Sequence, residues 1–369
     1  MASGSSVLEF MARNWALMSI VPTLIILLVV PGVVIRKYVN IALNLMDDLA
    51  PPVYPEAREL AINRNEGVAV QFCAFDGHLL RGTILAGNPD RPRRGAIVFA
   101  HEFGSDRWSH ARFTCPLREA GYDILAFDFR GHGESASEPE YKGRQFPSDR
   151  EQSDMLGAIA FMEDYLEQQG HSREIGILGL SRGAGAALLA SVGIDSVRAV
   201  AVDGAYSSDT VMEYLIRRWA SIFVKLRFTY EAPPPSYWRF LRWWILVKAE
   251  RRFGCLYPSV RKALRRLLAP VFFIHGERDS FIPLEQTQML YGLASEPKYL
   301  WTVPGARHNQ SVVRQPGEYA RRIVAFFDRH LAGVEAAPGN VEGGQCDLTQ
   351  PIASESDGGR RRTAARAAR

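Results

Sequence analysis

Gly179-Leu180-Ser181-Arg182-Gly183 constrains this chain more than any other stretch, because it joins the apolar run Ile175 to Leu180 to the small-residue segment Ala184 to Ala190. An apolar run of strand length followed at once by small, helix-compatible residues reads as strand, sharp turn, helix. A serine on so tight a turn needs small neighbours, since a Cβ at either glycine would crowd the backbone crossing. Ser181 therefore reads as an exposed nucleophile. Taken alone, the pattern also fits an ordinary glycine-rich link between strand and helix, so residues downstream have to decide.

A serine hydroxyl is a poor nucleophile near neutral pH. It needs a histidine base, and the histidine needs a carboxylate that fixes its tautomer and stabilises its charged form. Both types follow in the chain. The strand-like Pro270-Val271-Phe272-Phe273-Ile274 leads into His275-Gly276-Glu277-Arg278-Asp279, and Tyr299-Leu300-Trp301-Thr302-Val303 leads into Pro304-Gly305-Ala306-Arg307-His308. Each candidate sits just past the C-terminal end of a strand.

With these residues the sequence resembles the α/β-hydrolase family from about Gly67 to Leu331. The family order of serine, acid and histidine implies Ser181, Asp279 and His308 as the catalytic set. Two further segments match: Asp128-Phe129-Arg130-Gly131-His132-Gly133-Glu134-Ser135 is similar to the D-x-R-G-H-G-x-S turn after the fourth strand, and Ala96 to Ala100 with His101-Glu102-Phe103-Gly104 is similar to the third strand and its oxyanion loop. The resemblance implies an oxyanion hole made by the backbone N–H groups of Phe103 and Arg182. Glu102 departs from the family, where many members carry glycine, and puts a carboxylate near developing negative charge unless it turns away or pairs with a cation. Glu277 and Asp203 stand as rival acids, Asp203 following the strand Ala199 to Val202. His132 and His275 read as braces of turns beside the site, and His330 as a surface residue near a helix end.

Period and punctuation place strands at 68–73 and 79–85, joined at Asp76-Gly77, then at 96–101, 123–129, 175–180, 197–202, 270–274 and 298–303. Helical segments near 108–120, 149–168, 182–192, 284–294 and 317–331 alternate with them. Such alternation implies an α/β fold with a mostly parallel central sheet and helices on both faces, its site above the strand ends. The interval 205–268 lacks a strand and marks a helical cap insertion, in which basic residues far outnumber acids and Trp219, Trp238, Trp243 and Trp244 are interleaved. A helical lid with wet charges explains that composition; so does contact with the headgroup zone of a membrane.

Before the hydrolase-like domain at 67–332, a short flank (1–14) precedes an uncharged stretch at 15–35, long enough for a transmembrane helix although Pro22 and Pro31 interrupt it. The expectation is a single-pass membrane protein, Arg36 and Lys37 tilting the catalytic domain to the cytoplasmic side. In the linker at 36–66, Tyr38, Ile41, Ala42, Leu45, Met46 and Leu49 repeat at helical spacing, a face that rests on the membrane or on the domain. The tail at 333–369, rich in Gly, Ala, Ser and charge, is expected to be disordered.

A net charge of +4 gives no argument for nucleic acid, and no zinc, P-loop or dinucleotide motif occurs, so no cofactor or metal is expected. Cys73, Cys115, Cys255 and Cys346 are scattered like isolated thiols. Together these features predict a membrane-anchored serine hydrolase of a carboxylic ester or thioester, with a lipid-derived acyl substrate in view. A non-catalytic tethered scaffold, and a peptidase or acyltransferase on the same triad, remain as alternatives. Oligomeric state leaves no mark in the sequence.

Overall fold

The computed structural model describes residues 13–24, 30–50, 64, 66–223 and 227–333. Its strands are β1 (Val68–Cys73), β2 (Leu79–Leu85), β3 (Gly95–Ala100), β4 (Tyr122–Asp128), β5 (Ile175–Leu180), β6 (Val197–Asp203), β7 (Val271–Gly276) and β8 (Lys298–Val303). They form one eight-stranded sheet in the order β1-β2-β4-β3-β5-β6-β7-β8. β1 and β2 are a hairpin whose turn holds Gly77 at a φ of 85°, and β2 joins β4 antiparallel. From β4 to β8 every pairing is parallel.

Parallel neighbours need crossovers, and the helices supply them. In chain order these are α1 (Trp15–Leu24), α2 (Val30–Asp48), α3 (His110–Glu119), α4 (Asp149–Gln168), α5 (Arg182–Ala190), α6 (Ser208–Phe223), α7 (Phe228–Glu231), α8 (Pro235–Phe253), α9 (Val260–Leu264), α10 (Leu284–Leu293), α11 (Ser311–Arg314) and α12 (Pro316–Phe327). Met155 and Ile159 of α4, Leu188 of α5, Leu264 of α9 and Leu290 of α10 pack on one face of the sheet. Phe113 and Leu117 of α3 and Ile323 and Phe327 of α12 cover the other. With both faces covered, all of β5 is buried, which is why its sequence is an unbroken apolar run.

A third apolar cluster joins α2, α6 and α8 to Phe146, Tyr206 and Ile282. Val39, Ala42, Leu43 and Met46 of α2 are buried in it, Met46 completely. Asp47 at the end of α2 pairs with Arg144 at 2.9 Å, and Asn44 accepts from Arg252 of α8 at 2.9 Å. Of the two resting places expected for this amphipathic stretch, the described residues occupy the domain.

The transmembrane helix expected at 15–35 is not found: among the described residues no helix is long and apolar enough to cross a membrane. α2 has the length, with 19 residues, but carries Arg36 and Lys37 in its first half and Asp47 and Asp48 at its end. Residues 25–29 of the expected span lie outside the described residues, as do 51–63 and 65 of the linker, most of the 1–14 flank and 334–369 of the tail. Cys115 is disulfide-bonded whereas Cys73 and Cys255 are free thiols, which corrects the reading of four isolated thiols. Spacing along a chain says nothing of the short distance in space that a disulfide requires.

Candidate active site

Ser181 ends β5 and precedes α5, with φ 49° and ψ −111°. A non-glycine residue at positive φ stores strain of about 1–3 kcal/mol, held here by its surroundings. The two flanking glycines are obligatory for steric reasons. A Cβ on Gly179 would lie 2.8 Å from Ala184 Cα, and one on Gly183 would lie 2.3 Å from Ala100 O, inside the backbone of β3. Ser181 N–H donates to Asp203 O at 2.8 Å, tying the turn to the end of β6.

The three residues expected to act together are adjacent in space. His308 follows β8 and its Nε2 lies 2.8 Å from Ser181 Oγ; its Nδ1 lies 2.6 Å from Asp279 Oδ2. A carboxylate only accepts, so the ring proton sits on Nδ1 and Nε2 is free to accept from the serine hydroxyl. Asp279 follows β7, and its Oδ1 accepts from the N–H groups of Phe281 at 2.9 Å and Ile282 at 2.8 Å. Burial alone would raise the pKa of Asp279, but the charge and hydrogen bond of His308, with these amides, hold it below the usual carboxylate value. Gly204, at φ 65°, leaves room for the ring, since a Cβ there would lie 2.9 Å from His308 Cε1.

Arg182 opens α5, so its N–H is among the first-turn donors that a helix leaves unclaimed. Its side chain is a feature that the sequence reading missed. The guanidinium is fully buried and meets Glu151 at 3.4 Å, Arg144 O at 3.3 Å and His132 Nε2 at 3.3 Å, with the Phe103 ring centroid at 5.1 Å. It thus ties the nucleophile turn to the loop of Phe103 and to the turn of His132. Burial would raise the pKa of Glu151, and Arg182 leads the effects that bring it below normal. Ser148-Asp149-Arg150-Glu151, a capping box at the start of α4, was the legible signal for this carboxylate.

Glu102 turns to one side: its carboxylate accepts from Ser109 Oγ at 3.2 Å and feels the charge of Arg112. Burial raises its pKa.

The rival groups have other partners. Glu277 accepts from Gly305 N at 2.8 Å and braces the loop before His308. Asp203 is buried at the end of β6 beside Ser311, and burial pushes its pKa up to about 7. His132 donates from Nδ1 to Arg130 O at 3.0 Å, and burial followed by the charge of Arg182 depresses it to about 4. His275 lies between Thr287 Oγ1 at 2.8 Å and Ile282 O at 3.1 Å. His330, half-buried, meets the Tyr299 hydroxyl at 3.0 Å.

Gln145 and Tyr206 are the other site residues that no motif flagged. Gln145 Nε2 donates to Ser181 Oγ at 3.0 Å and to the Tyr206 hydroxyl at 2.9 Å, and Tyr206 donates to Gln145 O. Ser181 itself is fully buried beneath this pair. Among the described residues no cluster of His, Cys, Asp and Glu is arranged to hold a metal ion.

Known proteins add the following. The model of the alpha/beta hydrolase family matches residues 97–322. The esterase Pf2001 of Pyrococcus furiosus has a similar fold, with a TM-score of 0.53 and 22% identity over 77% of this chain and 98% of that one. In sequence the chain is 24% identical over 314 residues to the uncharacterized protein YfhR of Escherichia coli O157:H7, covering 83% of this chain and 94% of that protein. It is 26% identical over 187 residues to the lysophosphatidylserine lipase ABHD12 of Danio rerio, covering 50% of this chain and 42% of that protein.

Proposed function

The chain belongs to the alpha/beta hydrolase family, and from that premise we propose that it is a serine hydrolase of carboxylic esters or thioesters that passes through an acyl-enzyme. The observation that carries this reading is the continuous relay from Asp279 through His308 to Ser181, at 2.6 and 2.8 Å, at the ends of separate parallel strands. Ser181 Oγ attacks the acyl carbon as its proton passes to His308 Nε2, and Asp279 stabilises the imidazolium that forms. The backbone N–H groups of Phe103 and Arg182 receive the oxyanion. Collapse breaks the bond to the alcohol or thiol, which leaves with the proton from Nε2. Water then repeats the sequence on the acyl-enzyme, its proton passing through His308 to Ser181 Oγ as the carboxylic acid departs.

A lipid-derived acyl substrate is supported by the outer face of α8, where Phe240 and Trp243 are 52% and 57% exposed among Arg239, Lys248 and Arg251. Aromatic rings flanked by cations suit an anionic lipid surface. The relative in Danio rerio named as a lysophosphatidylserine lipase agrees with that class of substrate. The competing scaffold reading rested on Glu102; the hydrogen bond it accepts from Ser109 and the nearby charge of Arg112 favour the enzyme.

A fluorophosphonate probe tests the proposal directly. Wild type is labelled and Ser181→Ala is not; equal labelling of both, or of neither, refutes a serine nucleophile at this position. Esters and thioesters of increasing chain length, assayed with and without anionic vesicles, then define the acyl group.

A further inference from the structure

Gln145 is 1% exposed, and its amide is fixed in orientation by its two partners. The hydroxyl proton of Ser181 is committed to His308 Nε2, and that of Tyr206 to Gln145 O, so both oxygens offer only lone pairs to the amide. The NH2 group must therefore face them, and Oε1 must face the other way. There it is buried with no hydrogen-bond partner among the described residues. A buried amide oxygen without a donor is rare enough in folded proteins to demand a cause. The size of an amide group keeps this atom within about 5 Å of Ser181 Oγ, the atom that the reacting ester must reach.

From this geometry we infer that Oε1 of Gln145 accepts a hydrogen bond from a hydroxyl on the substrate, so that the preferred substrates are hydroxy esters with that hydroxyl close to the scissile bond. The inference rests on the ester-hydrolase reading and names its substrate class. A neutral amide oxygen suits a neutral donor; a cationic group at the same place would call for a carboxylate. An ester without a hydroxyl leaves Oε1 unpaired in the closed complex, and a site built to bond a hydroxyl rejects the analogue that lacks it. The hydroxyl can reside on the alcohol, as in a glycerol monoester, or on the acyl chain, as in a 3-hydroxyacyl ester.

The test uses matched pairs on the full-length protein. Active sites are first counted by fluorophosphonate labelling of Ser181. Then kcat/KM is measured for glycerol 1-monobutyrate against propyl butyrate, and for ethyl 3-hydroxybutyrate against ethyl butyrate, in wild type, Gln145→Met and Gln145→Glu. The expected result is a preference of about tenfold or more for the hydroxylated member of one pair in wild type. That ratio falls towards one in Gln145→Met and persists in Gln145→Glu, which keeps an acceptor while losing the amide donor. Whichever pair shows the preference identifies the side of the ester that carries the hydroxyl.

Labelled wild-type protein with no preference in either pair overturns the inference and leaves the serine hydrolase reading intact. A preference that survives in Gln145→Met also overturns it. Protein in which Ser181 is not labelled fails at the earlier step and takes the inference down with it. Should Gln145→Met not fold, the wild-type ratios and their persistence in Gln145→Glu still decide.

Discussion

Asp203 is a buried carboxyl beside Ser311, and burial raises its pKa from 3.8 to about 7. Its replacement by asparagine keeps the shape and removes the titration. An acid whose pKa is higher folded than unfolded keeps its proton in the folded state where the unfolded chain has already released it. Its contribution to stability therefore declines as pH rises from the unfolded value towards the folded one and is flat above it. At about 1.36 kcal/mol per unit, the full effect is on the order of 4 kcal/mol, of which about 2–3 kcal/mol falls between pH 5 and pH 8. Unfolding free energies from denaturant titrations of the two proteins at several pH values read this difference. Wild type should lose about 2–3 kcal/mol more than Asp203→Asn across that interval. The intercept depends on how the amide packs; the slope carries the test. Parallel profiles would show that Asp203 is not held protonated. A fall in kcat as deep as that of an Asp279 variant would show instead that it shares His308.

Asp279→Asn should lower kcat by about 10⁴-fold with the fold intact, because an amide no longer enforces the tautomer that leaves Nε2 free; a loss under tenfold would give the acid's role to another group. Gly183→Ala places a Cβ 2.3 Å from Ala100 O and 2.5 Å from His101 O, both backbone atoms, so the purified protein should be destabilised by about 3 kcal/mol or more, and unchanged thermal unfolding would refute the packing described. Met46→Ala empties a fully buried position where α2 meets the helices above the sheet and should cost about 2–5 kcal/mol in denaturant unfolding.

The sheet and its order were legible because parallel strands covered on both faces leave unbroken apolar runs such as Ile175 to Leu180, and because glycines mark where backbones cross. Ser181, Asp279 and His308 were legible for a related reason: each lies a few residues past the end of a strand, and chain order limits which acid and base can meet the serine. Gln145 and Arg182 were not, as residues whose role depends on partners from distant segments. Nothing within the segment Lys142 to Pro147 tells that Gln145 will lie over Ser181, and the side chain of Arg182 has meaning only once Glu151, 31 positions earlier, is beneath it.

The N-terminal helix shows the limit in its sharpest form. Hydrophobic periodicity tells that one face of a helix is buried, not what buries it. The expected stripe lies in α2 from Tyr38 to Met46, with Leu49 just past its end, yet the deepest positions are Val39, Ala42, Leu43 and Met46, a shift of about one position around the axis. A lipid surface would accept either phase, because it has no fixed holes. The shifted phase is what Trp238, Leu241 and Ile245 of α8 accommodate, with Asp47 brought against Arg144 and Asn44 against Arg252. The polar partners at this helix end are side chains of the same chain, so the apolar face of α2 is spent on protein, and an amphipathic sequence that suits an interface is here packed against α6 and α8.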